Sequence, residues 1–201
     1  MALKLSNRDL QNIDQKVIKE NSFKKRVKQI VDTEFKQIYT DFLKAFEAHP
    51  VTQEIKGGPS ATNISRTLGG VGNLFTYIGF DSGSDPIKNL RKLLEAYEIH
   101  YHPRNKYMSI QIEVPTKQEV FGATPMPWAT GRSWARGIER GISGLGQYLV
   151  KSSRIAKSKS GFAIQTQAPV RGGRFSNTSY MSTLLNNYYK EIQKLEKKTF
   201  S

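Results

Sequence analysis

Apolar residues recur at intervals of three and four from Phe23 to Phe46, through Val27, Ile30, Val31, Phe35, Ile38, Phe42 and Leu43. That spacing returns each side chain to one face of a 3.6-residue turn, and Asn21 and Ser22 just before it are good N-cap residues. A long helix is therefore predicted from there to His49-Pro50. Upstream, Leu10, Ile13, Val17 and Ile18 are sparse in a polar stretch, which reads as an amphipathic arm over residues 1–20. Another helix should open at Asp85-Pro86, an N-cap followed by proline at the first helical position, with Ile87, Leu90, Leu93, Leu94 and Tyr97 as its stripe. Tyr107 to Val114 alternates, Met108, Ile110, Ile112 and Val114 against Ser109, Gln111 and Glu113, which predicts a half-buried strand. The last helix should begin near Asn177 or Thr178 and bury Tyr180, Met181, Leu184, Leu185, Tyr188, Ile192 and Leu195.

The segments between are less periodic. Lys56 to Asn73 is rich in Gly, Ser, Thr and Asn, and reads as a long surface loop that orders mainly against a neighbouring subunit. The run Leu74 to Phe80 reads as a short strand before the turn Asp81-Ser82-Gly83-Ser84. After Pro115 a short helix is expected over Lys117 to Phe121, then an extended stretch from Ala123 to Trp128. A helix should follow from about Ser133 to Tyr148. Its glycines, Gly137, Gly141, Gly144 and Gly146, imply either close approach of another backbone or termination near Gly144. Ser158 to Gly161 reads as a turn, Phe162 to Ala168 as a strand, and Arg171 to Arg174 as a second turn. Helices flanking a few short strands, without regular alternation, predict an α+β fold. Its sheet should be small, mixed or antiparallel, within one domain over residues 21–201.

Charge changes this picture more than composition does. The chain has 31 Lys and Arg against 17 Asp and Glu, a net charge of +14, which implies a polyanionic or acidic partner. Arg132 to Arg174 concentrates it, with Arg132, Arg136, Arg140, Lys151, Arg154, Lys157, Lys159, Arg171 and Arg174 against one acid, Glu139. Arg132, Arg136 and Arg140 are four apart, so on a helix they would form one ridge, with Glu139 able to pair with at most one or two of them. Guanidinium makes paired hydrogen bonds to phosphate or carboxylate, so these arginines, with Arg154, Lys157, Lys159, Arg171 and Arg174, are candidate contacts to DNA or a partner protein. There is no cysteine, hence no disulfide or thiol chemistry. Met1 to Ser6 lacks the apolar core of a signal peptide, and no run approaches the roughly 20 apolar residues of a membrane span. A chain made and used in soluble form is expected.

The residue types offer little catalytic chemistry. His100-x-His102 would put two imidazoles on one face of a strand, as a zinc chelate needs, but the sequence offers no third ligand, and ordinary partly exposed histidines are the simpler reading. The central acids, Asp81, Asp85, Glu95, Glu98, Glu113 and Glu119, form no compact nuclease motif. The glycine-rich loop lacks the Gly-Lys-Ser/Thr ending of a phosphate-binding loop, and no serine sits in a nucleophile elbow. No DNA-reading motif is present. No catalytic, cofactor or metal set is predicted.

Three stretches carry a resemblance: Thr124-Pro-Met-Pro-Trp-Ala-Thr-Gly-Arg132 with the Arg/Gly helix after it, the strand Gly161-Phe-Ala-Ile-Gln-Thr-Gln, and the closing Tyr180-Met-Ser-Thr-Leu-Leu helix. In these the chain resembles neck and tail-completion proteins of tailed bacteriophages, the start Pro-x-x-Thr-Gly-Arg being the familiar part. The stretch Phe46 to Phe80 also looks like phage structural proteins. The resemblance implies an α+β virion subunit, synthesised in the host cytoplasm, that forms a ring with copies of itself between portal and tail. It implies contacts to adjacent portal, adaptor or tail-tube and terminator proteins, possible non-specific contact with packaged DNA, no membrane and no catalysis. The isolated protein would then be monomeric or weakly associated. The alternative is a basic DNA-binding or nuclease-like phage protein using the same arginines.

Overall fold

The computed structural model describes residues 16, 17, 19–68, 72–104, 107–127, 129–141, 149–151, 163–165 and 177–198. Within these the long apolar stripe forms helix α1, Asn21–Ala48. Val27, Val31, Phe35, Phe42 and Phe46 are buried along it, while Ile30 lies on the flank and is exposed. His49 then turns the chain. Its backbone is extended, and its Nδ1 accepts a hydrogen bond from the Val51 N–H at 3.3 Å. With Pro50 in the first turn, this caps a second helix, α2, Pro50–Lys56, that the sequence reading did not foresee.

Two further expectations are overturned. Lys56 to Asn73 is not a purely solvent-facing loop: Gly58–Ser60 forms a 3₁₀ turn, and Thr67, Leu68 and Asn73 are buried. The fully buried carboxylate of Glu54 holds this segment, accepting from the Ser65 N–H at 2.9 Å and the Leu74 N–H at 2.7 Å. Polar composition was a poor guide because several of the polar groups pair inside the chain, Ser65 with Thr67 at 2.8 Å and the Asn73 amide N–H with the carbonyls of Pro59 and Ala61 at 2.9 and 3.0 Å. The apolar run after it is a short helix, α3, Leu74–Ile78, rather than a strand. Asn73 accepts from the Thr76 N–H at 2.9 Å at its start, and Gly79 closes it at φ 89°.

Helix α4, Pro86–Leu94, opens as read, with the Asp85 carboxylate accepting from the Ile87 and Lys88 N–H groups at 3.1 Å each. Strands β1, Glu98–Pro103, and β2, Met108–Glu113, pair antiparallel, with Met108, Ile110 and Ile112 buried as the alternation requires. Helix α5, Lys117–Gly122, starts in a reciprocal capping box between Thr116 and Glu119. Strands β3, Pro125–Met126, and β4, Ala129–Ser133, form a small antiparallel pair, followed by helix α6, Trp134–Glu139. Strands β5, Leu149–Lys151, and β6, Ala163–Gln165, pair antiparallel, and helix α7, Met181–Glu196, closes the chain. The fold is mixed α+β. The helix read over Ser133 to Tyr148 ends already at Glu139, and residues 142–148 lie outside the described residues. The turns at Ser158 to Gly161 and Arg171 to Arg174, the ends of the strand Phe162 to Ala168, and nearly all of the N-terminal arm lie outside the described residues.

The chain groups into two compact units. The first takes residues up to Phe42, Tyr97–Val114 and Asn187–Ser201. In it Phe42 stacks on Tyr188 at 4.1 Å between ring centroids, Tyr101 donates its hydroxyl to Asp32 at 2.7 Å, and the Ile112 N–H donates to Glu196 at 2.7 Å. The second takes Leu43–Ala96 and Pro115–Asn186, and its core includes Phe46, Ile55, Leu68, Phe75, Leu90, Trp134 and Tyr180. No described helix is long and apolar enough to cross a membrane.

Candidate functional site

Tyr180 anchors the second unit around the basic segment. Its ring, fully buried, lies 4.8 Å from His49 and 6.3 Å from Trp134, centroid to centroid, and its hydroxyl shares a 2.9 Å hydrogen bond with Thr52. Burial pushes the phenol pKa upward, so it stays neutral and acts as a fixed polar pin. Trp134, fully buried beside it, starts α6, and Ser133 caps that helix by accepting from the Arg136 N–H at 3.1 Å. The Ser133 hydroxyl also meets the Thr124 hydroxyl at 2.7 Å, which ties the start of α6 to the end of α5.

The Pro127-x-x-Thr130-Gly131-Arg132 motif forms the turn and second strand of the β3–β4 pair. Gly131 has φ 75° with open space where a Cβ would stand, so glycine is needed there for backbone conformation and not for room. Pairing across β3 and β4 shifts register between Pro125 and Met126, as a bulge does.

The helical arginine ridge does not form. Arg132 lies in β4, Arg136 in α6, and Arg140 is the residue that ends α6, followed by Gly141 at φ 68°. Gly141, in the left-handed conformation, follows the end of the helix. All three arginines nonetheless line one cavity of about 590 Å³, with Gln118, Phe121 and Met126. Arg136 lies over the Phe121 ring at 4.6 Å, a cation–π contact that holds the guanidinium against an apolar wall. All three side chains belong to exposed residues.

Glu139 does not neutralise them. Its carboxylate accepts from the Ser182 N–H at 2.5 Å and the Ser182 hydroxyl at 2.6 Å, capping the first turn of α7. A carboxylate is favoured there because the first N–H groups of a helix lack internal partners and carry the positive end of its dipole. Among the described residues, none of Arg132, Arg136 and Arg140 forms an ion pair. Three guanidiniums around a recess, with no ion pair among the described residues, can clamp a carboxylate or a phosphate by paired hydrogen bonds. The described lining contains no carboxylate, histidine or lysine that could move a proton.

Arg154, Lys157, Lys159, Arg171 and Arg174 lie outside the described residues. Sequence reasoning missed Gln118, Phe121 and Ser133 as lining residues. The Thr116-x-x-Glu119 capping box was the available signal that a helix would carry Gln118 and Phe121 to this point. His100 and His102 do share one face of β1, ring centroids 6.3 Å apart, in the other unit. Set against family models, curated proteins and solved structures, the chain matches none of them.

Proposed function

We propose that this chain is a non-enzymatic virion structural protein of a tailed bacteriophage, a ring-forming subunit of the neck, head–tail connector or tail-completion region. We further propose that the arginine cavity receives an acidic group of an adjacent subunit. The observation that carries this is the sharing of one recess by three guanidiniums that form no ion pair among the described residues, while the only carboxylate of the basic segment caps α7. The recess is built on the Pro127-x-x-Thr130-Gly131-Arg132 motif in which the chain resembles neck and tail-completion proteins. A ring is closed by head-to-tail contacts, in which one surface of a subunit meets a different surface of the next, so a recessed basic site suits an acidic projection on a neighbour.

The test is assembly. Arg136→Ala with Arg140→Ala removes two surface guanidiniums, so the protein should stay folded while particles lose this subunit or fail to join heads to tails. Full yield of joined particles containing the doubly substituted protein would contradict the role given to the cavity. Guanidinium also fits phosphate, which keeps DNA binding in solution as a second reading. That reading requires duplex affinity that falls steeply with salt, with a log–log slope that the double substitution lowers by about 2. The structural reading predicts feeble binding and little change.

A further inference from the structure

On the β1–β2 hairpin, residues that are distant in sequence meet on one face. Glu98 stands directly opposite Glu113 in the antiparallel register, His100 opposite Gln111, and His102 opposite Ser109. The other face carries the buried Met108, Ile110 and Ile112, so this set points to solvent. Sequence reasoning finds no third ligand for the histidines because register alone brings the carboxylates alongside.

Glu98, His100 and Glu113 each offer a ligand atom, and all three atoms lie within 4.8 Å of one another. His100 Nε2 is 3.5 Å from Glu98 Oε2 and 3.7 Å from Glu113 Oε1. These separations are longer than an N–H···O hydrogen bond, yet both carboxylates converge on the same nitrogen. They are close to the roughly 3.4 Å edge of a tetrahedron whose corners stand about 2.0–2.1 Å from a central zinc. Gln111 donates its side-chain N–H to Glu113 Oε1 at 3.0 Å, the kind of supporting bond that orients a ligating carboxylate. Two carboxylates directly opposed across a strand pair repel, so the apo hairpin carries an unfavourable contact that a cation between them would turn favourable.

We infer that Glu98, His100 and Glu113 form a surface site for zinc or a similar borderline divalent ion, with the fourth position left to water. The imidazole suits such an ion better than magnesium or calcium, which take oxygen. The ion would clip β1 to β2 at the open end of the hairpin. This goes beyond the arginine cavity and does not depend on it, since the two lie in different units.

Untagged full-length protein titrated with zinc chloride in a calorimeter tests it. We expect one zinc per chain, lost in His100→Ala and weakened in Glu98→Gln and Glu113→Gln by at least the roughly 10-fold that even a supporting residue contributes. His102→Ala should keep binding. Cobalt in place of zinc should give the intense visible bands of four-coordinate geometry. Thermal unfolding guards against misfolded variants: without metal, Glu98→Gln should melt at or above the wild-type temperature, and with zinc it should lack the wild-type rise. Zinc uptake unchanged in His100→Ala, His102→Ala costing as much as His100→Ala, or a zinc-induced rise that survives Glu98→Gln would overturn the assignment.

Discussion

His49 shows how one side chain joins sequence, structure and pH. Its Nδ1 must be unprotonated to accept the Val51 N–H. Burial lowers the imidazole pKa from its usual 6.5, with a hydrogen bond to the Ser179 backbone acting the other way. The unfolded chain therefore takes up the proton first. The stabilisation from the neutral ring is complete above pH 6.5 and is lost as pH falls from there towards the folded value. His49→Asn keeps a capping oxygen without a titrating group, so its urea midpoint should fall less than that of the wild type between about pH 7 and pH 5.5. Equal falls would show that the ring's protonation is not coupled to folding. Glu54 is the second such residue. Glu54→Ala removes two hydrogen bonds to a charged acceptor and strands the N–H groups of Ser65 and Leu74, at a cost of about 3 kcal/mol or more. Glu54→Gln should cost roughly half of that, because its amide can accept only through one oxygen. Denaturant midpoints at constant slope measure both. Neither role was legible in the sequence, where Glu54 is one acid among 17 and its partners lie 11 and 20 residues away.

At the scale of elements, Glu139 is the informative link. Read along the chain, it looked like a counter-charge for the arginines; folded, it caps α7. Glu139→Ala should therefore cost about 1–2 kcal/mol and speed hydrogen exchange at the Ser182 amide. Unchanged exchange there would contradict the cap. Elements with several turns of periodic contrast, or with a cap in the right place, were readable: α1, α4, α5, α7 and β2 lie close to where pattern put them. Helices α2 and α3 were not. Helix α3 has five residues, Leu-Phe-Thr-Tyr-Ile, too few for a 3.6-residue period to differ from an apolar strand. Its punctuation was present nonetheless, since Asn73 and Gly79 stand where an N-cap and a left-handed terminator belong. Helix α2 was hidden by His49-Pro50, which stopped one helix and began another.

For the whole molecule, the net charge of +14 was legible by counting, and so was the density of arginine after residue 131. Their arrangement was not legible, because a cavity is made where a strand, a helix and a helix terminus converge, and spacing of four suggested a single helix instead. The resulting surface is a recess lined by three arginines that form no ion pair among the described residues, which is why an anion is proposed to occupy it. The central claim is that this anion belongs to an adjacent subunit in a phage particle. Quantitative mass spectrometry of purified, DNA-filled particles, calibrated on the portal protein, tests it most directly. The account predicts this chain in a fixed, ring-sized ratio to portal in intact particles; its absence from them, or an amount that varies between preparations, would contradict it.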